Sequence, residues 1–276
     1  GSGRVVEETE YEAVHDIRSW ADLKNRLDSD RRCYGFFHPS LPQEPLIFVE
    51  VALVNSISSS ITPLLDEAAE TADMARATTA IFYSISNTQT GLRGVSFGDS
   101  LIKHVVETLC AEFPRLRTFA TLSPIPGLRA WLGKNAGAML DKLTDKQRAE
   151  LARAVGVEGA APLQAAPLLA AFDKSQELDA KSPVRQMLMQ CAASYLAREL
   201  PGGKPADPVA RFHLGNGARV EQLNWGGDPS TKGHKQSYGL MVNYLYDLKR
   251  IDKHRSLLAD GKVAASKAIE GLCLPR

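Results

Sequence analysis

Residues 118–127 read Thr-Phe-Ala-Thr-Leu-Ser-Pro-Ile-Pro-Gly. The first half is β-branched, aromatic and apolar, the composition of a buried strand. Pro124 and Pro126 end it, because proline cannot donate to a sheet ladder. Ser123 therefore stands at the carboxyl end of a strand, beside a turn too stiff to rearrange, where α/β proteins tend to place chemistry. The plainer reading is that its hydroxyl only caps the turn, and the flanking sequence has to decide between the two.

Working upstream, residues 78–86 centre on Ala80-Ile-Phe-Tyr-Ser-Ile85. They are too apolar on both faces for a sheet edge, so they predict a central strand. Residues 86–99 then carry Gly91, Gly94 and Gly98, and Leu101, Ile102, Val105, Val106, Leu109, Cys110 and Phe113 recur with a helical period until Pro114. Strand, glycine-bearing loop and helix in this order point backbone amides at an anion, reinforced by the helix dipole. The loop lacks the Gly-Lys-Ser/Thr of a Walker A motif and the spacing of a dinucleotide fingerprint. Because the helix returns into the strand ending at Ser123, loop and serine are both expected at carboxyl ends of neighbouring strands, within reach of one ligand.

Further out, residues 20–27 predict a helix capped by Ser19, and residues 33–37 and 46–54 predict two strands of a hairpin. Residues 63–77 are acidic and Ala-rich and read as an exposed helix. Residues 128–200 read as helical throughout, beginning with a short turn over 127–134, with a capping box at Thr144/Gln147 and an N-cap with proline at Ser182-Pro183. This stretch is expected to be an insertion within a single catalytic domain spanning 1–276. After a Gly/Pro linker at 201–208, residues 209–214 predict a short strand, Gly215-Asn-Gly217 a hairpin turn, and 218–225 its partner. Residues 226–235 are polar and read as mobile, 237–248 as a last aromatic strand, and 262–272 as a terminal helix. The pattern is that of an α/β protein with a mixed central sheet flanked by helices.

Composition sets the outer limits. At 276 residues, with 44% hydrophobic and 24% charged residues, the chain has ample material for a core. A net charge of +1 offers no electrostatic footprint for nucleic acid or an anionic membrane. Cys33, Cys110, Cys191 and Cys273 are scattered without ligand spacing, which suits free thiols in a reducing, cytoplasmic setting. No apolar run reaches the ~18–20 residues that span a bilayer. Gly1 to Gly3 read as a remnant of cloning, so the sequence is expected to be cut from a longer protein. His38 before a proline and His104 on a polar helix face read as structural or solvated. His15, His234 and His254 lack a partner pattern for a metal site.

Several phrases together resemble one family. Arg31-Arg-Cys-Tyr34, His38-Pro-Ser-Leu-Pro42, Phe82-Tyr-Ser-Ile-Ser86, Gly91-Leu-Arg-Gly94, Leu122-Ser-Pro-Ile-Pro-Gly127, Phe212-His-Leu-Gly-Asn-Gly217, Asn224-Trp225 and Gly239-Leu-Met-Val-Asn-Tyr244 are similar, in consistent order, to the catalytic domain of malonyl-CoA decarboxylases. The resemblance implies a fold like the Gcn5-related N-acetyltransferases. The coenzyme A pyrophosphate would lie on residues 89–98, with Gln89, Gly91, Leu92, Arg93, Gly94 and Gly98 as the binding positions. It also implies a Ser/His pair at Ser123 and His213, with Tyr246 near the substrate. The family often has a glutamate in the loop where this chain has Ser96. A helical domain that precedes the catalytic one in the family is absent from this sequence, so an oligomer is an expectation for the full-length protein alone.

The implied reaction, within fatty acid metabolism, is decarboxylation of malonyl-CoA to acetyl-CoA and carbon dioxide through a thioester enolate. No cofactor is expected beyond the coenzyme A moiety of the substrate, and no metal, since the thioester carbonyl is itself the electron sink. The chemistry asks for an enolate-oxygen site, a dry pocket and a proton donor. Two alternatives stand beside it, a coenzyme A-dependent acyltransferase and a non-catalytic coenzyme A-binding module. A serine hydrolase is disfavoured, because Gly-x-Ser-x-Gly is absent around Ser123.

Overall fold

A computed structural model describes residues 30–38, 41–66, 74–87, 101–157, 159 and 161–276. Its strands are β1 (Arg31–His38), β2 (Leu41–Val54), β3 (Thr79–Asn87), β4 (Thr118–Thr121), β5 (Arg219–Asn224) and β6 (Met241–Leu245). They form one sheet in the order β1-β2-β3-β4-β6-β5. Pairing is antiparallel at β1/β2, β2/β3 and β4/β6, and parallel at β3/β4. This is the mixed α/β architecture that the strand pattern predicts. By compactness the chain divides into a first unit, up to Ser123 plus Asn243–Lys249, and a second, Pro124–Val242 plus Arg250–Arg276.

In the first unit β1 and β2 form the expected hairpin. Strand β2 begins earlier than the prolines suggest: Pro45 pairs with Phe37, between two register shifts of the β1/β2 ladder. Such irregularities are where a residue without an N–H is tolerated in a sheet. In β3, Ala80, Ile81, Phe82, Tyr83 and Ser84 are buried without a break, as a strand covered on both faces requires. The helices are α1 (Thr62–Leu65) and α2 (Leu101–Glu112). Ile102, Val105, Val106 and Leu109 form the buried stripe of α2. The helix expected over 63–77 is present only as α1 and a turn at Met74–Arg76 among the described residues, and the one expected over 20–27 lies outside them. Because β3 and β4 run parallel, their carboxyl ends lie at the same end of the sheet.

The second unit carries α3 (Leu128–Asp141), α4 (Asp145–Val155), α5 (Ala165–Asp173), α6 (Pro183–Arg198), α7 (Pro208–Gly215), α8 (Thr231–Ser237), α9 (Ile251–Ala259) and α10 (Lys267–Leu272). The capping box of α4 is formed in both directions: Gln147 N–H donates to Thr144 Oγ1 at 3.2 Å, and Thr144 N–H to Gln147 Oε1 at 2.9 Å. Ser182 caps α6 with Pro183 as its first residue, and α6 buries most of its length, from Val184 to Leu196. Helix α3 runs well past the short turn expected over 127–134. Its buried stripe of Leu128, Leu132, Ala136, Met139 and Leu140 outweighs the ~1 kcal/mol that each of Gly133 and Gly137 costs inside a helix.

Two stretches differ from expectation near β6. Residues 226–235 are not structureless: Ser230 caps α8 by accepting the Gly233 N–H at 3.1 Å. Residues 237–248 are not one strand, because Ser237 ends α8 and Tyr238 adopts the left-handed conformation (φ 54°) as its C-cap. A conformation that most side chains avoid is held by packing. The Arg129 guanidinium lies 4.6 Å from the centre of the Tyr238 ring, and the rings of Phe172 and His234 meet it edge-on. The strand is therefore confined to Met241–Leu245. Helix α9 lies between the strand expected over 237–248 and the helix expected over 262–272, where the sequence predicts no element.

Candidate functional site

In the first unit the site is built where β4 ends against β6. Backbone pairing joins Ala120 to Leu245, and the Tyr246 N–H donates to Phe119 O at 2.8 Å. One residue further along β4, side chains take over the ladder. The Tyr244 N–H donates to Thr121 Oγ1 at 3.1 Å, and Asn243 Nδ2 donates to Thr121 O at 2.8 Å and to Ser58 O at 2.9 Å. Thr121 and Asn243 are completely buried. Backbone groups at this depth need partners, and these side chains supply them where the strands stop pairing directly.

Ser123 follows immediately. It is 4% exposed, and its hydroxyl donates to Thr121 Oγ1 at 2.7 Å. The Leu122 N–H is held by Phe82 O at 3.0 Å, so the main chain entering Ser123 is pinned to β3. Tyr246 lies one residue beyond β6, not within it. It is buried, with its ring edge-on to Phe82 at 6.4 Å between centres. Burial pushes its phenol well above the ordinary range, which keeps it protonated. Because β4 and β6 run antiparallel, the Tyr246 backbone lies beside Phe119 near the start of β4, whereas Ser123 follows the other end of that strand.

His213 belongs to the second unit, and here the sequence reading needs correction: residues 209–214 are not a strand but part of helix α7. Asp207 is the N-cap, its Oδ1 accepting the N–H groups of Val209 at 3.0 Å and Ala210 at 3.1 Å, with Pro208 as the first helical residue. The run Val-Ala-Arg-Phe-His-Leu is short and apolar enough to suit either element. The preceding Asp-Pro, a helix-start signal, is what decides it. Gly217, at φ 88°, follows the helix end and is no hairpin turn. His213 is buried, 3% exposed, and burial lowers its pKa to about 3, so the imidazole is neutral.

The other Asp207 oxygen, Oδ2, accepts the Gly127 N–H at 3.0 Å and the Tyr195 hydroxyl at 3.4 Å. Burial raises the Asp207 pKa, while the hydrogen bonds from Gly127, Ala210, Val209 and Tyr195 oppose that rise. Sequence reasoning missed Asp207, Thr121 and Asn243. For Asp207 a signal existed in the cap. For the other two there was none, because their roles depend on β6 lying beside β4.

The anion-loop positions Gln89, Gly91, Leu92, Arg93, Gly94 and Gly98 lie outside the described residues, as do Ser96 and His15. His104 is exposed. His234 Nδ1 meets Gln176 Nε2 at 2.8 Å, and His254 Nδ1 meets Gly217 O at 3.0 Å. Among the described residues no three His, Cys, Asp or Glu side chains are grouped to hold a metal ion, and no helix is long and apolar enough to cross a membrane.

Residues 2–275 match the family model described as "Malonyl-CoA decarboxylase C-terminal domain". Over 274 residues the chain is 40% identical to the mitochondrial malonyl-CoA decarboxylase of Rattus norvegicus, an alignment covering 96% of this chain and 55% of that protein. Against the crystal structure of a malonyl-CoA decarboxylase from Cupriavidus metallidurans the TM-score is 0.81 at 50% identity, over 93% of this chain and 62% of that one. The corresponding structure from Rhodopseudomonas palustris gives 0.76 at 45% identity, over 94% and 57%. The chain spans about half the length of the curated relatives it matches.

Proposed function

This chain belongs to the malonyl-CoA decarboxylase family, matching its C-terminal domain, and on that premise we propose that it converts malonyl-CoA to acetyl-CoA and carbon dioxide. The observation that carries the reading is the buried Ser123 hydroxyl at the carboxyl end of β4, in a chain 50% identical to a solved bacterial malonyl-CoA decarboxylase.

In the proposed reaction the bond between the α-carbon and the carboxylate breaks. Its electron pair enters the thioester as an enolate, carbon dioxide leaves, and the α-carbon takes one proton. Ser123 and His213 act as a pair that orients the carboxylate and then delivers that proton, which solvent restores. A neutral His213 fits this role as a hydrogen-bonding imidazole with no standing positive charge. Backbone amides at the strand ends hold the enolate oxygen, and a dry surrounding weakens solvation of the carboxylate. Tyr246, kept protonated by burial, lies beside the substrate.

Residues 89–98 hold the coenzyme A pyrophosphate through their amides, as in an acetyltransferase-like cradle, with Gln89, Gly91, Leu92, Arg93, Gly94 and Gly98 in contact. No cofactor beyond the coenzyme A moiety takes part. We read residues 128–200 as a helical insertion within one catalytic domain, and a reducing compartment such as the cytoplasm as suiting the four free cysteines. The test is incubation of the chain with malonyl-CoA and no acceptor, following acetyl-CoA by chromatography. Stoichiometric acetyl-CoA and carbon dioxide support the reading. Binding without turnover would leave a coenzyme A-binding module, and turnover only with an added amine an acyltransferase.

A further inference from the structure

We propose that Thr121 is a positioning residue that fixes the direction of the Ser123 hydroxyl, turning the serine oxygen into an acceptor toward the reacting groups; this rests on the reading of Ser123 as catalytic. Ser123 donates to Thr121 Oγ1 at 2.7 Å, and the same oxygen accepts the Tyr244 N–H at 3.1 Å. A hydroxyl oxygen offers two lone pairs, and these two donors take both. A backbone N–H cannot reverse its role. One lone pair is held by β6, and the other receives the serine proton at 2.7 Å. Thr121 itself has little freedom to turn away: it is completely buried, its carbonyl accepts Asn243 Nδ2 at 2.8 Å, and its β-branched side chain is restricted about χ1.

The consequence lies at Ser123. Its one proton is directed along β4 to Thr121, and its lone pairs face elsewhere. An oxygen so oriented accepts a hydrogen bond from a neutral imidazole N–H, and it does not repel a donor with its own hydrogen. To deliver its own proton it must rotate about Cβ–Oγ and leave Thr121, a step that needs no oxidant or co-reactant. Pre-setting the hydroxyl in this way limits the orientations that the reacting pair must search. Leu122 and Asn243, which hold the main chain on either side, keep the geometry in place but do not decide the direction of the proton.

The experiment is a double-mutant cycle in the full chain, with steady-state kinetics on malonyl-CoA and thermal melts of every variant. Thr121→Val keeps the shape and removes the oxygen. It should lower kcat about tenfold with KM nearly unchanged, the loss expected for one well-placed hydrogen bond. Thr121→Ser, which restores the oxygen, should recover most of kcat. In a Ser123→Ala background Thr121→Val should cost nothing further, because the group it acts on is gone. If Thr121→Val lowers kcat equally in both backgrounds, or kcat per folded molecule is unchanged while the melting temperature falls, Thr121 is structural and the inference is overturned. Should Thr121→Val fail to fold, Thr121→Ala against Thr121→Ser carries the same comparison. Full activity in Ser123→Ala would instead remove the catalytic reading of Ser123, and this inference with it.

Discussion

Asp207 Oδ2 accepts the backbone N–H of Gly127 at 3.0 Å, across 80 residues of sequence. The two oxygens of this carboxylate serve different ends: Oδ1 caps α7, the helix that carries His213, and Oδ2 holds the turn that follows Ser123-Pro-Ile-Pro in the chain. One buried side chain therefore fixes both the start of α7 and the exit of the proline turn. Asp207→Asn separates the two functions, since the amide oxygen can keep the cap while its NH2 group meets two donors at Gly127 and Tyr195. Urea unfolding should show a loss of about 1–3 kcal/mol for the broken tether. The far-ultraviolet circular dichroism of the helices should be unchanged. A variant as stable as the parent would show that the tether contributes nothing.

Gly127 is constrained from the other side. A Cβ at this position would overlap the Tyr195 hydroxyl oxygen and stand 3.3 Å from Asp207 Oδ2. Gly127→Ala should destabilise the fold by about 1–3 kcal/mol through overpacking. Combining it with Tyr195→Phe, which removes the crowded oxygen, should recover part of that loss. Additive losses in the double variant would contradict this placement.

His213 makes a prediction about acid. Its folded pKa lies below its unfolded value, so between pH 6.5 and about 3 the unfolded chain binds the extra proton and the folded chain does not. The contribution is fully present above pH 6.5 and is lost as pH falls, at up to ~1.4 kcal/mol per pH unit. Asp207 works in the opposite sense, because its raised carboxyl pKa gains proton binding on folding. The comparison must therefore be made against His213→Gln, in which only the histidine slope is removed. The stability difference between parent and His213→Gln, measured by melts at pH 7, 6 and 5, should shift in favour of the variant as pH falls. A difference independent of pH would mean that His213 is not buried neutral.

Asn243 joins the loop after β2 to the end of β4 by donating to Ser58 O and Thr121 O. Asn243→Ala leaves both carbonyls without this donor, and chemical denaturation should report a loss of about 1–3 kcal/mol. Hydrogen exchange should quicken at Tyr244, whose N–H bonds to the side chain of Thr121.

For the proposed reaction, Ser123→Ala and His213→Asn should each reduce carbon dioxide release from malonyl-CoA by two or more orders of magnitude, in the range typical of lost acid–base groups. Coenzyme A affinity by calorimetry should remain near that of the parent. Gly94→Glu should do the reverse, weakening coenzyme A binding through charge and bulk against phosphate. Full turnover in both Ser123→Ala and His213→Asn would falsify the pair.

Local signals in the sequence were enough for much of this protein. The unbroken apolar run of 80–85 predicted a central strand because a strand covered on both faces has no polar side to show. The Thr144/Gln147 box and Ser182-Pro183 marked helix starts because their hydrogen bonds are made within one turn. Ser123 was legible as a strand end because the two prolines after it cannot continue a ladder. What depended on distant residues was not legible. The helix over 209–214 is an exception, since its start signal, Asp207-Pro208, is local, but the early start of β2 needed a register shift opposite Pro45 to accommodate it. Only tertiary structure decided that Thr121 would face the Tyr244 N–H, and that Asp207 would reach Gly127. Such partners are chosen by which backbone groups are left without a ladder when the strands and helices assemble, and sequence spacing does not record that.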